Sequence, residues 1–541
     1  NGNLQLDYSF HFLPELHANL NLGYDVMKSN LTDGWEANSA TAWKNHDHYA
    51  GGYQFDQYQF RSNTMLDFYL NYKKEFEAIK SGVDATAGYS WQRFFNKGHY
   101  NGANGNSGYR VTPGYNYPTV APDGYIMNIN PATVPLVGQV FQEDGVSPDG
   151  NYHWADHLQL LSFFGRLNYT FMNRYLLTFT VRGDATSRFA KDKRWGVFPA
   201  VALAWKINEE SFLQDASGWL SDLKLRLGWG KTGQQDVGDT INYMSMYAIA
   251  APTSSYPNGI GGWYLPAYAR GYNPELTWET TTTWNAGLDF SFLNNRINGS
   301  FEGYYRKTTD LLAYVAVPAG SSTTNMLNRN IGSLENYGVE FNISAKPVVT
   351  NDFTWTVSYN VGWNHNEITE LTDNSVFKVG GISGGNGNTV QIHSVGHPAS
   401  SFYLFQQVYD EAGDPIEGLY VDQNGDGQID DSDKIINKSP DPKVTMTFGS
   451  QFRYKQWDFG FNLRASIGNY VYNNVLSTKT IYNDLFTYGL NDLVENDVYF
   501  EQPRYMSDYY LRNASFVRCD NITLGYTWEN LLNDKLRLRL F

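Results

Sequence analysis

No apolar run in this 541-residue chain approaches the length of about 18 that a membrane-crossing helix needs, so a helical membrane protein is excluded. Charge is scarce as well: charged side chains are 18% of the total, and the net charge is -15. An acidic balance with no basic stripe excludes a nucleic-acid partner. The single cysteine, Cys519, rules out an internal disulfide and says little about redox compartment. The chain opens at Asn1 with neither an initiator Met nor a signal peptide, and a strand pattern begins almost at once. That opening predicts a front segment outside the sequence, so the missing targeting signal carries no information.

Aromatics and glycine are what the chain has in excess: 40 Tyr, 32 Phe, 15 Trp and 50 Gly, at a mean hydropathy of -0.47. Aromatic-rich, Gly-rich and polar on average fits strands separated by long polar loops. Residues 280–306 show the pattern best. Trp284, Ala286, Leu288, Phe290 and Phe292 alternate with polar residues or Gly, and a turn follows over Leu293-Asn294-Asn295-Arg296. The return arm sets Ile297, Phe301 and Tyr305 against Asn298, Ser300 and Glu302. Period-two alternation on both sides of an Asn-rich turn predicts an antiparallel hairpin. Arms of about ten residues match a tilted strand crossing a bilayer.

The same unit recurs along the chain. Further strands are predicted at 3–12, 17–26, 60–72, 82–92, 158–170, 174–184, 198–207, 222–230, 337–346, 353–364, 443–454, 457–467, 516–527 and 535–541. Their connections are read as alternating strictly between short and long. A soluble sandwich or propeller has no reason to sort its loops by parity, whereas an outer-membrane barrel has short periplasmic turns and long outward loops. The expected fold is therefore an all-β transmembrane antiparallel barrel with about 16 strands and long extracellular loops. On that sidedness strand 3–12 runs inward and strand 535–541 outward. Barrel chains start and finish in the periplasm with an even strand number, so an odd number of strands is expected before Asn1 and another after Phe541.

Several strings resemble the SusC/RagA-type TonB-dependent transporters of Bacteroidetes outer membranes. They are RGDATSRFAKDKRWGVFPAVALAWKINEESF (182–212), LKLRLGWGKTGQQDVG (223–238), residues 273–312, NIGSLENYGVEFNI (330–343), GLYVDQNGDGQIDDSDK (418–434), SPDPKVTMTFG (439–449) and SFVRCDNITLGYTW (515–528). They stand in the family's order and cover nearly the whole chain. The resemblance implies a multi-pass barrel of 22 strands in the outer membrane, five of them before Asn1 and one after Phe541. It also implies an N-terminal plug and TonB box outside residues 1–541, and a SusD-like surface lipoprotein as a lid. A dimer of transporter–lipoprotein pairs would fit the same pattern. The implied function is TonB-dependent import of oligosaccharides or peptides, with no catalysis. A passive porin or adhesin barrel is the alternative. A secreted carbohydrate-active β-protein would need paired catalytic carboxylates in a cleft.

Asp422 to Asp433 carries the sharpest local motif. Calcium loops place oxygen ligands at positions 1, 3, 5, 7, 9 and 12, with Gly at 6. Those positions hold Asp422, Asn424, Asp426, Gln428 (through its carbonyl), Asp430 and Asp433, with Gly427 at the turn. Asp stands where the last ligand is usually Glu, which shortens its reach. The motif predicts a structural Ca2+ loop; the competing reading is a surface loop of Asx turns that binds nothing. Substrate contacts are expected from outward-loop aromatics, namely Trp35, Trp43, Tyr117, Trp154 and Trp263, whose flat faces stack on sugar rings. Those same rings fit equally well as packing against the lid. Trp355, Trp363, Trp457 and Trp528 read as membrane-interface girdle. Three catalytic look-alikes fail on context. Gly381-Ile382-Ser383-Gly384-Gly385 lacks a strand-to-helix turn. Gly230-Lys231-Thr232 would need the first Gly of a phosphate loop at Leu225, inside strand 222–230, and His46-Asp47-His48 is an isolated surface pair.

Overall fold

The protein is described by a computed structural model covering residues 1–541 apart from 36–52, 105–151, 239–241, 246, 250–255, 258–262, 265–266, 319, 321, 373–375, 383–387, 480–499, 503 and 532–535. Sixteen strands form one sheet, each paired antiparallel with its sequence neighbours. We number them β1 Gly2–Phe10, β2 Leu13–Trp35, β3 Tyr53–Phe76, β4 Ser81–Asn104, β5 Tyr152–Phe171, β6 Tyr175–Thr186, β7 Trp195–Lys206 and β8 Leu220–Gln234. The second half comprises β9 Glu279–Phe292, β10 Ile297–Thr309, β11 Gly332–Val349, β12 Phe353–Leu371, β13 Val444–Tyr454, β14 Trp457–Ile467, β15 Phe516–Leu531 and β16 Leu536–Leu540. Every strand expected from the alternation has its counterpart. No helix among the described residues is long and apolar enough to cross a membrane.

The sheet is built inside out, with its large apolar side chains on the outer surface. In the β9–β10 hairpin Trp284 lies opposite Tyr305 and Leu288 opposite Phe301. Trp284 and Phe301 remain 46% and 51% exposed, which is the surface lipid covers. One residue along, Asp289 faces Ser300 on the other side of the sheet. The hairpin turns through Leu293, Asn294 and Asn295, all at positive φ (54°, 56° and 63°). Asn tolerates this conformation because its short amide bonds locally. Ser291 Oγ donates to Asn295 Oδ1 at 2.6 Å, and the Leu293 N–H is held by the Trp219 carbonyl at 2.7 Å. Among the girdle aromatics, Trp363, Trp457 and Trp528 are exposed, and Trp355 stacks on Phe452 at 5.7 Å.

Two expectations are corrected. The first concerns strand length: β2, β3, β4 and β5 contain 23, 24, 24 and 20 residues and take over much of what read as polar loop at 27–59 and 93–156. Above the hydrocarbon layer water bathes both faces of the sheet, so Lys28, Ser29, Asn30, Thr32 and Asp33 show no apolar alternation. The ladder continues regardless, pairing Lys28 with Phe60 and Asp33 with Phe55. The second concerns parity, which is not strict. The outward connection 187–194 is shorter than the inward connection 207–219. Phe189, wholly buried with Phe198, Leu276 and Trp278, pulls the outward loop down onto the wall. The inward segment spends its length on two 3-10 turns, Ile207–Glu209 and Ser211–Ala216. Glu210 ties these to the wall by accepting bonds from Arg174, Tyr175 and Trp205.

The long outward connections have structure of their own. The described parts of segments 372–443 and 468–515 pack together beyond the ends of β12–β15. A four-stranded sheet runs in the order Phe377–Gly381, Thr389–His393, Ser401–Phe405, Lys434–Asn437. Its inner side meets Tyr472, Phe500 and Tyr510, and these with Val390, Phe402 and Leu404 form a closed apolar core. We call this unit the roof.

Candidate functional site: the lumen wall and its roof

The polar face of the wall is the surface that a molecule passing through the barrel would meet. Its strongest feature spans three strands. Arg226 of β8 reaches Asp289 of β9 through two bonds of 2.9 and 2.8 Å and also bonds Glu302 of β10. Lys224 Nζ lies 2.9 Å from the same Asp289 carboxylate. A two-pronged guanidinium–carboxylate pair fixes geometry as well as charge. Farther round, Asn360 donates to Thr447 at 2.9 Å, Asn462 to Asn521 at 2.8 Å, and Arg464 to Asp520 at 3.1 Å. The wall is thus lined with amides, hydroxyls and paired charges.

Within the roof, residues 422–433 lie between Pro415–Tyr420 and Lys434–Asn437. Asp422 accepts from the Gly425 and Gly427 N–H groups at 2.7 and 2.8 Å, both glycines being at positive φ. Asn424 Oδ1 accepts from Asp426 N–H at 2.9 Å, and Asp426 from Gln428 N–H at 2.8 Å. Asp433 is fully buried and accepts from the Asp430 and Gln423 N–H groups, both at 2.8 Å. The Asp430 N–H bond is the leading cause of an Asp433 carboxyl pKa below the usual range, and the neighbouring Asp422 carboxyl interacts with it directly. Asp430 caps the closing 3-10 turn through Ser432 N–H. The donors are all oxygen, the chemistry a hard cation takes. Even so, no three acidic or His groups among the described residues converge at metal-holding distance. Asp431 points away from the loop to Lys378 and to Lys434, and these two partners, Lys378 first, hold its carboxyl below the usual range.

The substrate aromatics expected from the sequence are placed only in part. Trp43 and Tyr117 lie outside the described residues. Trp35 ends β2, Trp154 lies in β5, and Trp263 forms a two-residue strand with Tyr264 that pairs with Tyr256–Pro257. The described backbone places these three positions on three different strands. Of the catalytic look-alikes, Gly230-Lys231-Thr232 is continuous strand within β8. Gly381 ends a strand whose next regular element is another strand, with Ser383–Gly385 outside the described residues, as is His46-Asp47-His48. Sequence reasoning missed the buried roof core and the tie between Glu417 and Arg504 at 3.0 Å. A core whose members lie a hundred residues apart leaves no periodic trace.

A polar-lined wall of sixteen neighbour-paired strands coincides with a family model described as TonB dependent receptor-like, beta-barrel, which matches residues 1–540. The chain belongs to this family. It is 44% identical over 547 aligned residues to the TonB-dependent receptor SusC of Bacteroides thetaiotaomicron, a match covering 98% of this chain and 50% of that protein. The TonB-dependent receptor P3 of Formosa agariphila is 29% identical over 503 residues, covering 88% of this chain and 46% of the relative. Among solved structures, the RagAB peptide transporter superposes with a TM-score of 0.73 at 21% identity, covering 96% of this chain and 54% of that one. The last likeness is one of fold. The chain spans about half the length of the curated relatives it matches. It is the barrel wall of a SusC-type TonB-dependent receptor of the outer membrane.

Proposed function

We propose that the protein imports oligosaccharides or peptides across the outer membrane, energised through TonB, with a SusD-like lipoprotein closing over the roof. One observation carries this reading: a lumen wall of amides, hydroxyls and paired charges, topped by a folded roof with its own core. Such a wall offers many weak polar contacts to a hydrated cargo. The 44% identical TonB-dependent receptor SusC supports the TonB-energised part of this reading. Uptake of labelled oligosaccharides and peptides by cells with and without TonB is the test. Loss of uptake without TonB is the expected result, and undiminished uptake would favour a passive porin.

The loop at 422–433 is proposed to take Ca2+ as a structural ion, through Asp422, Asn424, Asp426, Asp430, Asp433 and the Gln428 carbonyl. The ion's contribution there is charge neutralisation, since Asp422 and Asp433 already bring two carboxyls together. Calorimetry with calcium alone, paired with hydrogen exchange of the roof, reads this without any transport assay. Saturable binding that slows exchange at 422–433 supports the site. Exchange indifferent to calcium and chelator would remove it.

A further inference from the structure

The inward connections are short turns except for 207–219, between β7 and β8, which is the longest of them. Its length goes into a segment pinned at both ends to the outer side of the wall. The first pin is Glu210, whose side chain is only 12% exposed. Its carboxylate accepts from Tyr175 Oη at 2.6 Å, Trp205 Nε1 at 3.0 Å and Arg174 Nη1 at 3.1 Å. Tyr175 and Trp205 are opposite one another on β6 and β7, and their rings stack at 6.3 Å. Every second pair along the same register is exposed and apolar, Leu177 with Leu203 and then Phe179 with Val201. Glu210 is therefore bound to the lipid side of the wall, at its inward end. The second pin is Trp219, which stacks on Phe292 at 5.7 Å while its carbonyl holds the Leu293 N–H at 2.7 Å. Phe292 continues the apolar face of β9 beyond Leu288 and Phe290. Between the pins Asn208 Oδ1 accepts from the Leu223 N–H of β8 at 3.2 Å. The segment so fixed leaves Phe212 68% exposed and Trp219 54% exposed.

We propose that residues 207–219 form an apron on the inner leaflet of the outer membrane, held there by Glu210, with Phe212 and Trp219 sunk among the phospholipids. Continuity with the lipid-covered wall identifies the partner. The rings of Tyr175, Trp205 and Phe292 belong to the face that hydrocarbon covers, and the segment is fastened to those rings. Tyr and Trp settle where the ring meets acyl chain and the polar tip meets the headgroups. Glu210 gathers the tips of Tyr175 and Trp205 at one point, which marks the depth where the wall leaves the hydrocarbon. Phe212 follows two residues later, beside that depth. An element lying in the plane of the interface gains by burying its apolar side about 5–10 Å into the headgroup–acyl boundary. The exposed Phe212 and Trp219 supply that side, and Gln214, Asp215 and Ser217 supply the polar one.

The inference rests on the membrane wall and not on what passes through it, so it stands or falls apart from the import reading. The intact transporter, in a Cys519→Ser background, carries a bimane fluorophore on Phe212→Cys. It is placed in nanodiscs of phosphatidylethanolamine and phosphatidylglycerol. Ser211→Cys, which keeps the Phe212 ring, repeats the reading. Asp352→Cys, in the short turn between β11 and β12, is the aqueous reference. Lipid brominated near the top of the acyl chain should quench the labels at 211 and 212 at least threefold more than the label at 352. Aqueous iodide should do the reverse. Glu210→Ala removes the acceptor shared by Arg174, Tyr175 and Trp205, and should at least double iodide quenching at 212. Migration of the unheated protein on a gel confirms that each barrel is folded. Labels at 211 and 212 that iodide reaches as freely as 352 overturn the apron. Labels shielded from both quenchers are covered by protein, which overturns it as well. An unchanged depth in folded Glu210→Ala overturns the tie.

Discussion

Wall and roof are made from one chain by opposite solutions to the same problem. In the wall, large apolar residues such as Trp284, Phe301 and Val197 stand on the outside, and what holds the strands together is the backbone ladder. In the roof, Leu404, Phe500 and Tyr510 are fully buried, and the strands are short pieces of three to six residues held by that core. The difference teaches that burial is a poor guide to structural importance in this protein. An exposed Phe in the wall is at its working surface, whereas an exposed Phe in the roof would be a defect. Substitutions of one type should therefore have opposite consequences in the two regions.

The largest effect is expected from emptying the roof core. Leu404→Ala leaves a cavity among Val390, Phe402 and Tyr472, a change that costs about 2–5 kcal/mol in a packed interior. Hydrogen exchange should accelerate across 377–437 and 470–513, while the wall keeps its resistance to unfolding in detergent. A roof that exchanges at the wild-type rate would mean that the core is not what holds it. Next in size is a charge on the lipid face. Phe301→Arg should cost about 2–4 kcal/mol of folding stability in liposomes, by analogy with lipid-facing Arg at mid-bilayer depth. Asn298→Arg, on the same strand but on its exposed lumen face, should cost far less. Equal costs in a urea titration would erase the distinction between the two faces.

The legibility of the sequence follows the same division. Strands β9 and β10 could be read residue by residue because lipid on one side and water on the other impose a period of two. The upper halves of β2 to β5 could not, since Lys28 to Asp33 meet water on both faces and the constraint vanishes. The roof was invisible for a different reason: Phe402 and Tyr510 become neighbours only after a hundred residues of intervening chain have folded. The Asp422–Asp433 motif was legible as a pattern because its oxygen groups are spaced within one short loop.

A smaller effect sharpens the comparison on the lumen side. Arg226→Met leaves Asp289 and Glu302 facing each other with only Lys224 for compensation. The midpoint of unfolding should fall by less than for Phe301→Arg, and added salt should restore part of the loss by screening the carboxylates. A deficit insensitive to salt would point to lost packing. The smallest effect is one of pH and belongs to the roof alone. Burial holds the His393 imidazole below its ordinary value, and its Nδ1 accepts from the Ser400 N–H at 3.1 Å. The folded roof thus prefers the neutral ring. Its stability is full above the unfolded value, about 6.5, and declines as pH falls toward the lower folded value. Exchange at 389–405 should quicken modestly between pH 7.5 and 5.5, with no change in β9 or β10. His393→Asn should abolish that pH response.

The central claim is that a single-residue step along a wall strand moves a side chain between lipid and lumen. In a Cys519→Ser background, single cysteines at Trp284, Asn285, Leu288, Asp289, Phe290, Asn298, Phe301 and Glu302 can be labelled in outer-membrane vesicles with a water-soluble maleimide. The expected result is reaction at 285, 289, 298 and 302, with protection at 284, 288, 290 and 301. Uniform labelling, or the reverse pattern, would contradict the account.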